Sequence, residues 1–442
     1  MPLRGACTVH DPQACDRARY LDVGRIRREV EAGPYDAVVC LSPENVPYFS
    51  GFYNMDIRLI PERLHIIVWA KGAEPSFVVM ERRAAQLTER HTFISDLRGY
   101  QGEGLDSMRA LAEVLAAHGA KTVGIEGRSF PGGHLLDLRE RLPGVRFVDA
   151  YDWFERIRGV KTPAERETIT RAARITCDAI DAAFRAARPG ESERRIAARM
   201  QYEMLVRGID MINAPLLAAG PRTGLWHALP GDHAVEPGML IKTDSGGYID
   251  GYYSDIARTV VMGRATPHQR DVHAKCTEIK HRIVGAMRPG VTAAELARFG
   301  RQAYQDVGLE YRWAILGHGI GLAIHEAPQI YPWVNEPLEA GMMMMIEVGG
   351  PRGSGHGHAL LLAWLERAGI RLEPLRWFCG AAGVVVVEQA PRWNGERRRC
   401  DAPGVLPPRE GWHGRTLLPP RRPAVGADGR GLHMEDVVTV RR

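Results

Sequence analysis

The 442-residue sequence predicts an α/β domain over residues 1–155, followed by an α+β domain over residues 156–442 built from two pseudo-symmetric halves. Three observations carry this expectation. Residues 21–150 alternate helix-like and strand-like patterns. From Lys161 onward the order helix, helix, strands occurs and then recurs. Residues 351–430 then lose both periods and are rich in Pro, Arg and Gly, an atypical insertion that reads as a long irregular loop.

In the first domain Val23–Ala32 has a helical pattern, while "DAVVCLS", "LHIIVWAKG" and "PSFVVM" read as strands. "GLDSMRALAEVLAAHG" is an amphipathic helix and "KTVGIEG" a further strand. In the second domain Thr162-Pro163-Ala164-Glu165 is a capping box with Pro at the first helical position. Ile169, Ala173, Ile175, Ile180 and Phe184 supply the buried stripe of that helix, and Pro189-Gly190 ends it. A second helix covers about Glu193–Val206 and closes at Gly208. After a hairpin, Thr266-Pro267-His268-Gln269 starts a third helix that ends near Pro289-Gly290. Thr292-Ala293-Ala294-Glu295 starts a fourth, running to Gly308, and strands containing His318 and Glu347 follow. Two related halves facing each other across a cleft are expected.

Composition narrows the function. The formal charge of +5 is small for this length, and no basic stripe interleaved with aromatics marks a nucleic-acid surface. Residues 351–430 hold 13 Arg against 7 Asp and Glu, so the excess sits in the irregular segment. No stretch approaches 18 apolar residues, and seven scattered cysteines without a CxxC point to reduced thiols. A cytoplasmic protein is expected.

The hairpin "KTDSGGYIDGYYSDIARTV" sets Asp244 and Asp255 in apolar, aromatic surroundings. With Ile249-Asp250 at the tip, the two face each other directly. With the stronger turn signal Asp250-Gly251, Asp244 faces Ala257 and Asp255 is its diagonal neighbour. Either register puts both carboxylates on one face with Cβ atoms roughly 5–8 Å apart. A solvated pair, or pairing with Arg258, accounts for the hairpin alone; one or two divalent ions between them is the alternative. Asp250 reads as turn chemistry. "LGHGIGLAIHEAP" then offers His318 and His325 among glycines, without the spacing of an HExxH metalloprotease. "GMMMMIEVGG" places Glu347 after an apolar run, where a carboxylate is costly unless protonated, paired or metal-bound. "GLHMEDVVTV" places Glu435 at the start of a Val-rich strand. Four carboxylates and one imidazole suit Mn²⁺, Co²⁺, Fe²⁺ or Zn²⁺.

That order of residues resembles the pita-bread metallopeptidases: aminopeptidase P, prolidase and methionine aminopeptidase, with creatinase as a metal-free relative. "SPENVPYFSGF" is similar to the creatinase-like N-terminal domain, and "RIRGVKTPAERETITRAA" to the junction with the catalytic domain. The resemblance implies two divalent metal ions, manganese foremost, held by Asp244, Asp255, His318, Glu347 and Glu435. Asp255 and Glu435 bridge both ions, and Asp244 chelates one. It further implies that Glu347 accepts and returns the proton of the attacking water, that His227 stabilises the tetrahedral intermediate, and that His325 binds substrate and shuttles protons. His433 stands where peptidases usually keep a substrate-supporting Arg, and Val348 where they keep Pro. Glu347 and Glu435, usually on one tight hairpin, have 87 residues between them. The implied activity is Xaa-Pro peptide cleavage by a cytoplasmic homodimer. The competing readings are a small-solute amide hydrolase, a dimethylsulfoniopropionate lyase, and an inactive binding protein. The five ligands oppose a creatinase-type chemistry, and Ser245-Gly246 after Asp244, in place of a D-x-D, opposes the lyase.

Overall fold

The computed structural model describes residues 12–102, 105–225, 227–311, 315–350, 382–386 and 438–439. The first domain runs α1 (Val23–Ala32), β1 (Ala37–Cys40), α2 (Asn45–Ser50), α3 (Asp56–Leu59), β2 (Ile66–Ala70), β3 (Ser76–Met80), α4 (Glu81–Ala84), β4 (Asp96–Tyr100), α5 (Leu105–Ala117), β5 (Thr122–Ile125), α6 (Gly132–Arg141), β6 (Arg146–Asp149) and α7 (Tyr151–Gly159). Its strands form one mixed sheet in the order β4-β3-β2-β1-β5-β6. Alternate residues of the central strands enter opposite cores: Val38, Ile67 and Phe77 on one face, Val39, Ile66 and Val78 on the other. Burial on both faces is why these segments read as unbroken apolar runs. The first of these cores continues past the sheet into Phe184, Met200 and Ile241, so the two domains share apolar packing through Trp153, Phe154 and Ile157 of α7.

The second domain begins with α8 (Pro163–Ala186) and α9 (Glu193–Val206), followed by β7 (Met211–Ala219), β8 (Leu240–Ile249), β9 (Tyr252–Tyr253) and β10 (Ile256–Val261). The same order returns as α10 (Pro267–Ala286), α11 (Ala293–Asp306), β11 (Gly317–Gly319), β12 (Glu326–Gln329), β13 (Met343–Glu347), β14 (Ala382–Val386) and β15 (Val438–Thr439). Local chemistry repeats with it. Thr162 and Thr266 both close complete capping boxes with Pro in the first turn, satisfying N–H groups that no helical carbonyl can reach. The turns between paired helices both use a left-handed glycine, Gly190 and Gly290, whose N–H donates to Val235 and Leu338 respectively. Each half contributes a sheet, β10-β8-β7 with β9, and β12-β11-β13-β14-β15.

One expectation needs correcting. Residues 382–386, inside the segment read as an irregular loop, form β14, which pairs antiparallel with β13 from Met343↔Val386 to Glu347↔Ala382. The Val run there supplies a strand that the surrounding Pro and Arg concealed. The rest of that insertion, and with it Glu435 and His433, lies outside the described residues.

Candidate metal centre and active site

The hairpin takes the register of its stronger turn signal. Asp244 pairs with Ala257 and Ile249 with Tyr252, leaving Asp250-Gly251 at the tip. Both tip residues have positive φ, 53° and 84°, as the hairpin turn matching strand twist requires. The two strands close tightly beyond the tip: a Cβ on Gly246 would lie 1.9 Å from the Ser254 carbonyl oxygen. Asp255 thereby meets Asp244 on one face, and their carboxyl groups are hydrogen-bonded. Burial, then Asp244, pushes Asp255 up to about 8, and burial with Glu347 raises Asp244 as well. Such a pair cannot carry two charges at neutral pH without a cation.

From the opposite sheet, β11 brings His318, which is fully buried and pairs with Met345. The neighbouring backbone comes so close that a Cβ on Gly317 would lie 2.0 Å from Met345 O, so the glycine before the histidine is a packing requirement. His318 Nδ1 lies 2.9 Å from the Gly319 carbonyl. In the neutral ring, donating the Nδ1 proton there leaves Nε2 with its lone pair free for a cation. That Nε2 is buried, has no hydrogen-bond partner, and stands 3.7 Å from both Asp255 Oδ2 and Glu347 Oε1. Burial tends to raise Glu347, but His318, with His325 and His227 beyond it, outweighs that and leaves its carboxyl below the ordinary value. Burial likewise opposes protonation of His318, and the facing Glu347 and Asp255 outweigh it.

An orphaned imidazole nitrogen between two carboxylates fits a divalent cation, and the oxygen-rich, thiol-free donor set suits the metals expected. Ligand atoms of Asp255, His318 and His325 all lie within 4.8 Å of one another. His325 is more exposed, with its ring 4.0 Å from that of His318; burial and then His318 push its pKa down to about 4, so it is neutral at physiological pH. His227 follows a short 3-10 turn at Gly220–Gly224 and holds a left-handed backbone, φ 47°, unusual for a non-glycine residue. It is an electrostatic neighbour of Asp244, Glu347 and His325, so it belongs to the same cluster.

Six residues named from the sequence therefore converge: Asp244, Asp255, His318, Glu347, His325 and His227. Sequence reasoning missed Lys242, two residues before Asp244 on its face of β8, whose Nζ donates to Leu225 O at 2.9 Å and ties down the His227 loop. It also missed Glu326, buried beside His325 and bonded to Lys161. Period-2 alternation could have exposed Lys242; nothing local signals the second pair, 165 residues apart.

Two facing half-domains with an oxygen-rich cation cradle between them define a metal-dependent hydrolase. Comparison with known proteins makes this particular. Residues 167–386 match metallopeptidase family M24, and residues 23–160 match the creatinase/prolidase N-terminal domain. The chain is 34% identical over 316 residues to the Xaa-Pro dipeptidase of Pyrococcus furiosus, covering 71% of this chain and 86% of that protein. It is 29% identical to the Xaa-Pro dipeptidase of Lactobacillus helveticus, covering 74% and 89% of the two. Among solved structures, the prolidase from Pyrococcus furiosus superimposes with a TM-score of 0.65 at 27% identity, covering 82% of this chain and 96% of that one. Dipeptidase PepE from Mycobacterium ulcerans gives 0.69 at 27% identity, covering 83% and 92%. The chain belongs to metallopeptidase family M24, a metal-dependent peptide hydrolase with a creatinase-type N-terminal domain and a pita-bread catalytic domain.

Proposed function

We propose that this enzyme hydrolyses the Xaa-Pro bond of small peptides at a divalent metal centre of Asp244, Asp255, His318, Glu347 and Glu435. The observation that carries the reading is the unpartnered His318 Nε2 held 3.7 Å from two carboxylates at the junction of two sheets. Held by these residues, a pair of divalent ions would supply Lewis acidity to a bound water and to the scissile carbonyl.

The side chains do the rest. Glu347, at the end of β13 and half-buried, is ionised and can take the proton of the attacking water and return it to the departing nitrogen. Neutral His325 is assigned to hydrogen bonding on the substrate side, and His227, its neighbour in the cluster, to stabilising the developing oxyanion. His433, where peptidases usually keep Arg, is assigned to substrate binding from the sequence alone. Manganese is the preferred ion on donor chemistry. A homodimer in the cytoplasm is the proposed state; among the described residues Cys15, Cys40, Cys177 and Cys276 form no disulfide, and no helix is long and apolar enough to cross a membrane.

The test is turnover by the manganese-loaded protein of Xaa-Pro dipeptides and of longer Xaa-Pro peptides, alongside metal analysis. Two ions per chain, with cleavage lost on chelation and restored by Mn²⁺, is the expected result. Two bound ions without turnover of either substrate would reject the specificity while leaving the metal centre standing.

A further inference from the structure

We infer that Glu326 is a positioning residue for His325, held by two buried cations, Arg158 of α7 and Lys161 of the linker that follows it. This rests on the assignment of His325 to the substrate side of the site.

Glu326 directly follows His325 and is 1% exposed. Its Oε2 accepts from Lys161 Nζ at 2.8 Å, and its Oε1 accepts from Arg158 Nε at 3.2 Å and from the Ala323 N–H at 3.1 Å. The carboxylate therefore fills the inside of the 321–326 turn, where a Cβ on Gly321 would come within 2.5 Å of it. His325 ends the bend that leads into β12 at Glu326, so fixing the Glu326 carboxylate inside that turn fixes the backbone that carries His325, whose ring lies 4.0 Å from that of His318.

The cations are themselves anchored. Lys161 Nζ also donates to Gly159 O at 3.1 Å, and Arg158 also bonds Asn45 and Glu155. Glu155 accepts from the Ala327 N–H at 2.9 Å, tying the residue after Glu326. Asn45 passes the network to Glu126, buried in the first domain. On the other side of the turn, Arg58 of α3 donates to Leu322 O at 2.9 Å. The segment carrying His325 is thus gripped at both ends by the first domain and its linker. That domain sets the geometry of a histidine it does not contain.

A buried ion cluster could serve only to stabilise the fold, and a double-mutant cycle separates the two roles. Lys161→Met should lower kcat/KM on an Xaa-Pro dipeptide roughly 10–100-fold, the range for groups that orient metal-site ligands. Lys161→Arg should recover most of it, and in a His325→Ala background Lys161→Met should have no further effect. Carbethoxylation of His325 by diethylpyrocarbonate in the metal-free protein, mapped by mass spectrometry, should change several-fold in Lys161→Met and not in Lys161→Arg. Equal losses in both backgrounds, or unchanged His325 labelling, would overturn the inference. If Lys161→Met fails to fold, Arg58→Met goes through the same cycle and labelling. If the enzyme does not cleave Xaa-Pro bonds at all, the labelling arm alone decides.

Discussion

Burial, followed by the neighbouring Asp244, lifts the pKa of Asp255 to about 8. In an unfolded chain an aspartate titrates near ~3.9. A carboxyl raised in the folded state is stabilising in its protonated form, so its contribution is complete below about pH 4 and is lost as pH rises through about 8. The metal-free protein should therefore melt progressively lower between pH 5 and 8.5 relative to Asp255→Asn, and Mn²⁺ should remove the difference by taking the proton's place. Thermal melts with and without chelator, across that range, check this; parallel curves for the two proteins would show that Asp255 does not carry the proton. Asp244, Asp255, His318 and Glu347 were named from the sequence by the order that resembles a known family, and Glu347 also because a carboxylate after an apolar run is costly to bury. The neutral state of His325 was not legible there, since it arises from burial and from the nearby His318 ring.

At the scale of elements, the hairpin shows where pattern stops and packing begins. Two registers were compatible with its sequence, and both kept the aspartates on one face. The Asp250-Gly251 tip prevails because two adjacent residues can take positive φ there and the strands beyond it can close to contact. Gly246→Ala tests that closeness: a methyl group cannot share space with the Ser254 carbonyl 1.9 Å away, so the strands must part. A loss of about 2–3 kcal/mol is expected, the upper range for overpacking, read as a lower denaturant midpoint at unchanged slope. An unshifted midpoint would mean the strands do not approach. Helices were the most readable elements, since capping boxes and glycine stops are local chemistry. β14 was obscured because five strand residues lie inside a Pro- and Arg-rich stretch.

At the scale of the molecule, Asp250 does more than turn the chain. Its carboxylate accepts from Tyr20 at 2.6 Å and Arg19 at 2.8 Å, and its carbonyl accepts from Arg17 at 2.9 Å, clasping the N-terminal segment to the catalytic hairpin. Arg17 also lies over the rings of Tyr20, Tyr53 and Tyr252. Asp250→Ala should cost about 1–3 kcal/mol, the range for removing a hydrogen-bonded charge, and should speed proteolytic cleavage near residues 15–22 before the rest of the chain is cut. Cleavage at the wild-type rate would show that the clasp does not hold that segment. Such contacts, more than 200 residues apart, leave no trace in a local pattern.

By itself the sequence determined the two domains' element types, the doubled helix-helix-strand order and the identity of the metal-ligand candidates. Periodicity, capping and the cost of burying an unpaired carboxylate all act over a few residues. Only the tertiary structure decided the hairpin register, the orphaned nitrogen between two carboxylates, and the buried cations beneath His325. Those depend on which distant surfaces exclude water together, and burial is a property of the folded whole.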